Sequence, residues 1–342
     1  MEKSHFHLLT KSPLFLRRMK FILLSLFLAI SLLSFSQWQN VDSLYGPLPA
    51  SVKVFVTTQR IDTAPFKAYY VIADLNDKSL DYTTDTTLDR RATPSQFYAK
   101  NNNPLLVVNG TFFSFQTNRN LNAVIRKGKL LAGNAQTVAG RGKDTLTYRH
   151  TFPSAIGINK KRKADVAWLY TDTIKKKTYA AQWPLPPLKD STAQHSLKEI
   201  VTNTSLIAGH SGKLSPTLQK WKVQTAIGGG PVLVQNGAVQ VTNNEELKFA
   251  GKAINDKHPR TAMGYTAENK LVILVIEGRT KESGGASLLQ TAQLLKDIGC
   301  VEALNLDGGG SSCLLVNGKE TIRPSDKEGQ RPVPAVFLIK KR

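Results

Sequence analysis

Asp307 stands at the tip of an apolar strand. It is followed by Gly308, Gly309 and Gly310, then by Ser311 and Ser312, before a second apolar strand begins. Glycines accept positive φ and carry no Cβ, so three in succession let backbone N–H groups crowd around an anion or a sugar. The run lacks the lysine of a GxxxxGK[ST] phosphate loop. No GxSxG nucleophile elbow occurs here or at residues 209–213. A second triplet, Gly228, Gly229 and Gly230, again falls between apolar strands. Two such strand ends suggest backbone segments packing beside one ligand, although glycine also marks bulges and bends. Charges sit at other strand ends. Arg260 precedes an apolar strand, and Glu277 and Arg279 close another. An arginine fork matches two phosphate oxygens at once. Each arginine alone more often serves a structural ion pair, but two carboxylates and two arginines on one rim are what cleavage of a phosphorylated sugar requires.

These groups need elements to hold them. From about Val52 onward the pattern is short β-branched runs separated by turn signals. Residues 52–58 alternate, 67–75 and 104–113 read as strands, and 271–279 reads as a strand buried on both faces. Hairpin signals fall at RKGK (126–129) and QNGA (235–238). Residues 286–299 form the best helix, with Leu288, Ala292 and Leu295 on one face, Leu289 widening it and Gly299 as a stop. Thr93 and a proline open a shorter helix over 93–102. Strand 271–277, helix 286–298 and strand 302–306 then read as a β-α-β unit. The expected fold is α+β: a single domain with a mixed, mainly antiparallel sheet core and a few packed helices. Residues 182–199 read as a proline-rich surface loop. A short similarity between 150–159 and 257–266 is weak and reads as chance.

The 342 residues open with Arg17, Arg18 and Lys20 before an uncharged apolar run over 21–35. That run is shorter than the ~20 residues of a spanning helix, so residues 1–36 read as a secretory signal. Residues 37–64 read as a lead-in with the first strand, and 65–342 as the catalytic domain. The formal charge is +21, of which +4 lies in residues 1–36. The remaining basic excess favours anionic partners such as phosphates or acidic glycans and a loose association with the cell envelope. Export and the lack of a basic, aromatic-interleaved helix argue against nucleic acid. Lysine runs such as KKRK (160–163) read as solvated hairpin tips. Two cysteines, Cys300 and Cys313, leave a disulfide and two separate buried thiols equally open. They are too few for a zinc cluster, and the six histidines lack HExxH spacing. Neither a cofactor nor a metal is demanded.

NGTFF (109–113), GGGPVLVQNG (228–237), PRTAMG (259–264), VIEGR (275–279), the amphipathic helix, LNLDGGGSS (304–312), PSD (324–326) and RPVPAVFL (331–338) occur in that order. Together they resemble the phosphodiester glycosidase family over roughly residues 65–342. The resemblance implies an exported glycoside hydrolase that cleaves a sugar-1-phosphodiester on the sugar side of the phosphate. Free sugar, N-acetylglucosamine-like, and a phosphomonoester would be released. It also implies Asp307 and Glu277 as catalytic carboxylates. Asn109, Gly110, Gly228, Gly229, Gly230, Arg260, Arg279, Gly308, Gly309, Gly310, Ser311, Ser312 and Arg331 are the implied substrate-binding positions. Two departures stand out: Glu277 where the family pattern has aspartate, and Cys313 where it commonly has threonine. The alternative is a non-catalytic envelope module for anionic or phosphorylated glycans. A serine hydrolase using Ser311 or Ser312 with His258 rests on residue identity alone. Oligomeric state and the stereochemical course are not legible.

Overall fold

In the computed structural model of the chain, the described residues are 38–140, 142–191 and 218–342. The expected signal segment, the stretch 209–213 and residues 192–199 of the 182–199 loop lie outside them. Asn40–Arg342 forms one compact unit.

The described residues are 42% strand and 12% helix, and every ladder among them is antiparallel. This overturns the α+β assignment and the mixed sheet: the protein is β-rich, with helices as minor attachments. The source of the misreading is specific. Lys270–Ile276, the helix Leu288–Asp297 and Cys300–Asn305 do follow one another, but Arg260–Thr266 lies between the two strands and pairs with both. A strand from earlier in the chain thus converts a parallel neighbour pair into two antiparallel ladders.

Three sheets carry the core. The first runs Val52–Thr57, Ala68–Asp74, Lys270–Ile276, Arg260–Thr266, Cys300–Asn305, Val232–Gln235 and Ala238–Val239. The second has Ser154–Asn159 at its centre, flanked by Ala164–Asp172 and Val223–Gly228. In the third, Leu106–Asn109 lies between Leu314–Val316 and Ala335–Lys341. One apolar cluster joins all three, including Val71 and Ile273, Trp168 and Ile227, and Leu106 and Phe337. The Leu188–Asp190 strand pairs with Tyr148–His150, so part of the expected surface loop is a strand.

Local signals behave as their chemistry dictates. Ser287 and Thr93 each cap a helix reciprocally with the glutamine three residues on. Leu289 is 62% exposed and does not widen the buried face. Asn236 and Gly237 take positive φ at one hairpin tip, as do Lys127 and Gly128 at another. Arg162, in the expected solvated run, instead donates to the carbonyls of Leu75, Asp77 (2.7 Å) and Leu80 (3.1 Å). Cys300 and Cys313 are separate buried thiols, and burial pushes the Cys300 thiol up to about 12.

Candidate active site

Strand ends from different sheets meet at Asp307. Its N–H donates to Gly110 O (3.0 Å), and its carbonyl accepts from Asn109 Nδ2 (2.6 Å). The other end of that amide, Asn109 Oδ1, accepts from Thr261 Oγ1 (2.8 Å) and from the Cys313 N–H (3.1 Å). Ser312 Oγ lies 3.2 Å from Thr261 Oγ1. Asn109 is fully buried and Ser312 is 1% exposed. Both therefore tie the first and third sheets to the Asp307 turn, and neither reaches outward to a sugar.

The glycines after Asp307 act differently from an amide cradle. The Gly308 N–H bonds the Asp307 carboxylate. Gly309, at φ 60°, donates to Pro259 O (2.8 Å). Ser311 and Ser312 donate back to Gly308 and Gly309. What the missing side chains provide is room. A Cβ on Gly309 would stand 3.3 Å from Arg279 Nη2, and one on Gly310 would stand 2.1 Å from Arg331 Nη2. Two guanidinium groups thus rest on the turn that carries the carboxylate.

Those arginines differ in their engagement. Arg331 grips Asp326 through two bonds of 2.7 and 2.9 Å, and its Cζ lies 5.5 Å from the Phe115 ring. Arg279 is exposed, makes no ion pair among the described residues, and contacts His258 Nδ1 at 3.4 Å. Arg260 is buried. Its Nε donates to Ala286 O (2.9 Å) and its Nη2 to Asp256 O (2.9 Å). Burial, with Arg279 adding repulsion, pushes Arg260 down to about 10.

The second triplet is also a matter of close approach. A Cβ on Gly228 would meet Ala123 N at 2.8 Å, one on Gly229 would meet Asn305 O at 2.3 Å, and one on Gly230 would meet Glu246 Oε2 at 2.2 Å. Glu246 is buried and accepts from Ser154 N and Oγ, Val232 N and Thr242 Oγ1. Two residues on, Lys248 places Nζ 3.7 Å from the Phe112 ring centroid and 3.3 Å from Asn122 Oδ1.

Lys248 and Asp307 shape each other. Burial raises Asp307 to about 6, against the opposing pull of Ser311, Lys248, Arg331 and the Gly308 N–H. Burial lowers Lys248 to about 8, opposed by Glu246 and Asp307. Ser311 Oγ sits near the Asp307 carboxylate and helps lower its pKa. It is nonetheless buried and meets full hydrogen-bond geometry with no group among the described residues. Such an orphaned hydroxyl calls for an acceptor or donor from outside the chain.

Glu277 occupies separate surroundings. Its Oε2 accepts from the Arg323 N–H (3.0 Å) and faces Lys67 Nζ at 3.7 Å, while Thr280 Oγ1 lies 3.3 Å from Oε1. Ile276 pairs with Arg260, and Leu306 N donates to Thr261 O. Glu277 and Asp307 therefore follow strands on either side of Arg260–Thr266, their backbones about 10 Å apart by two ladder spacings. The loop between Ile322 and Pro332 touches both regions, through Arg323 at Glu277 and through Arg331 at Gly310. His258 Nδ1 contacts Arg279 rather than either serine, so the geometry offers no Ser–His pair. Among the described residues no group of three or more His, Cys, Asp or Glu is placed to hold a metal.

Residues 188–340 match the family model described as phosphodiester glycosidase. The resemblance to that family is borne out. The chain is 33% identical to the mouse N-acetylglucosamine-1-phosphodiester alpha-N-acetylglucosaminidase over 98 residues, 29% of this chain and 19% of that protein. It is 41% identical over 73 residues to the SPbeta prophage-derived uncharacterized protein YomE of Bacillus subtilis, covering 21% of this chain and 11% of the relative. The matched stretches thus span a fifth or less of those relatives' lengths. In fold, the chain is similar to a hypothetical protein from Synechocystis (TM-score 0.58, 16% identity, 90% of this chain and 64% of the other). It is also similar to the zebrafish N-acetylglucosamine-1-phosphodiester alpha-N-acetylglucosaminidase catalytic domain auto-inhibited by pro-peptide (TM-score 0.54, 19% identity, 87% and 85%). The phosphodiester glycosidase match contains Lys248, Glu246 and Asp326, which residue type and spacing had not singled out. For Lys248 the only sequence signal is its place between Glu246 and Phe249, which resembles any surface turn, whereas Asp326 stands in the PSD run (324–326).

Proposed function

We propose that the protein is a phosphodiester glycosidase: it hydrolyses a sugar-1-phosphodiester between C1 of the sugar and the phosphate oxygen, releasing free sugar and a phosphomonoester. The observation that carries this reading is one half-buried carboxylate, Asp307, with Lys248, Arg331 and the unpaired Arg279 disposed around its turn. The departing phosphomonoester is a weakly basic anion, so its departure needs little protonation. When the C1–O bond breaks, the electron pair goes to the phosphate oxygen, and Arg279 and Lys248 neutralise the growing charge. Asp307 stabilises the oxocarbenium-like sugar and takes the proton from the attacking water, whose oxygen bonds C1. Ser311 Oγ, beside the Asp307 carboxylate, turns to the bound ligand for a fully formed hydrogen bond. Phe112 and Phe249, packed edge to face at 5.9 Å, wall the lysine side. On this reading Glu277, Asn109, Ser312 and Arg260 position the catalytic turn.

The substrate is N-acetylglucosamine-like in its sugar, and the enzyme works in the periplasm or outside the cell after removal of its signal. Among the described residues no helix is long and apolar enough to cross a membrane. Hydrolysis of an aryl ester of N-acetylglucosamine-1-phosphate in ¹⁸O-labelled water tests the reaction. Label in the free sugar supports C1–O cleavage. Label in the phosphate would make the protein a phosphodiesterase of another kind, and binding without turnover would make it a glycan-binding module.

A further inference from the structure

Away from Asp307, the tips of two hairpins form a groove of about 830 Å³. Lys100, Arg126, Lys127, Lys129 and Lys176 line it, and Asp85 is its one carboxylate. Asp85 is buried and already paired with Lys100 (2.8 Å) and Arg126 (3.0 Å). Lys127, Lys129 and Lys176 are exposed and make no ion pair among the described residues. Lys127 also lines an adjoining groove of about 410 Å³ that contains exposed Lys160 together with Arg162 and the Arg342–Asp81 pair (3.6 Å). A concave track with this excess of unpaired cations concentrates a linear anion along its length.

The track points toward the reaction site. Thr86, on its wall, accepts from Asn120 Nδ2 (3.0 Å), and Asn120 Oδ1 accepts from Thr111, next to the Gly110 carbonyl that receives the Asp307 N–H. Beyond exposed Leu88, Arg91 lies 5.3 Å from the Phe115 ring, which Arg331 approaches at 5.5 Å. The groove wall and the turn that carries Asp307 are thus joined by a short hydrogen-bonded relay.

We propose that this groove holds the anionic chain of a polymeric substrate, a polymer of phosphodiester-linked units whose terminal sugar-1-phosphate enters the Asp307 site. The proposal rests on the glycosidase reading for the terminal step, but binding along the groove is independent of it. No exposed aromatic ring lines the groove, so it lacks the stacking platforms that single-stranded nucleic acid uses. Leu88 and Leu131 offer carbon surface to sugar or glycerol units.

Binding of soluble poly(glycerol phosphate), measured calorimetrically at low salt, tests it. The triple variant Lys127→Glu, Lys129→Glu, Lys176→Glu should lose about tenfold or more in affinity, and added salt should weaken the parent similarly. Its melting temperature and its turnover of a small aryl ester should stay unchanged, since none of the three touches Asp307. Unchanged polymer affinity in the triple variant would overturn the proposal. So would tighter binding to phosphatidylglycerol vesicles or to single-stranded DNA than to the polymer. If the aryl ester is not turned over but the variant still loses the polymer, the glycosidase reading fails and the groove assignment stands.

Discussion

The Arg331 guanidinium fills the space that a side chain at position 310 would need: a Cβ on Gly310 would lie 2.1 Å from Nη2 and 2.2 Å from Asp326 Oδ1. The glycine is a seat for a charged pair, and the arginine of that pair helps hold down the pKa of the carboxylate three residues earlier.

Gly310→Ala should therefore act through Arg331. Overpacking costs ~1–3 kcal/mol, so the melting temperature should fall while the fold persists. Displacing the guanidinium should lower kcat/KM by about 10²-fold. A folded variant with parental kinetics would show Arg331 to be idle in the reaction.

The pH profile follows from two opposed shifts. Asp307 must be ionised, so kcat/KM should rise through pH about 6. Lys248 must be charged, so the rate should decline through pH about 8, giving a bell. Stability has its own sign. The folded chain holds the Asp307 proton more tightly than the unfolded chain does, so this contribution is complete below about pH 4 and is lost as pH rises through about 6. Asp307→Asn should melt like the parent at acid pH and above it at pH 7, by on the order of 2 kcal/mol, while turnover disappears. Equal melting temperatures across the range would contradict the buried setting of Asp307.

Lys248→Met keeps the apolar contact with Phe112 and removes the charge. The rising limb of the profile should then move to higher pH, because Asp307 loses a counter-charge, and the falling limb near 8 should vanish. A loss of about 10–10²-fold in kcat/KM should accompany these changes. An unshifted profile would remove Lys248 from the site.

Glu277→Gln separates anchoring from chemistry. If Glu277 serves to hold the Arg323 backbone and Lys67, the variant should lose about 1–3 kcal/mol of stability and retain most of its kcat. Abolished turnover at an unchanged melting temperature would make Glu277 a second catalytic carboxylate.

What the sequence disclosed was local. Asn236-Gly237 and Lys127-Gly128 announce their hairpins because positive φ is a property of the residues themselves. The helix over 286–299 announces itself by the spacing of Leu288, Ala292 and Leu295, which is equally local. Insertion of Arg260–Thr266 between Lys270–Ile276 and Cys300–Asn305 is a long-range pairing that no local pattern encodes, and the α+β reading failed there. The two glycine triplets drew attention to the right strand ends, but composition alone could not say whether bare amides or seated side chains explain them. Lys248 was illegible because its depressed pKa arises from burial, which distant parts of the chain supply.

The Gly228–Pro231–Val232 passage carries the chain directly from the second sheet into the first, and Glu246 is clamped against it by bonds to both. A slide of one sheet over the other would have to break that clamp. Because Lys248 follows Glu246 by two residues, the same clamp fastens the segment that carries the lysine to the seam between the two sheets.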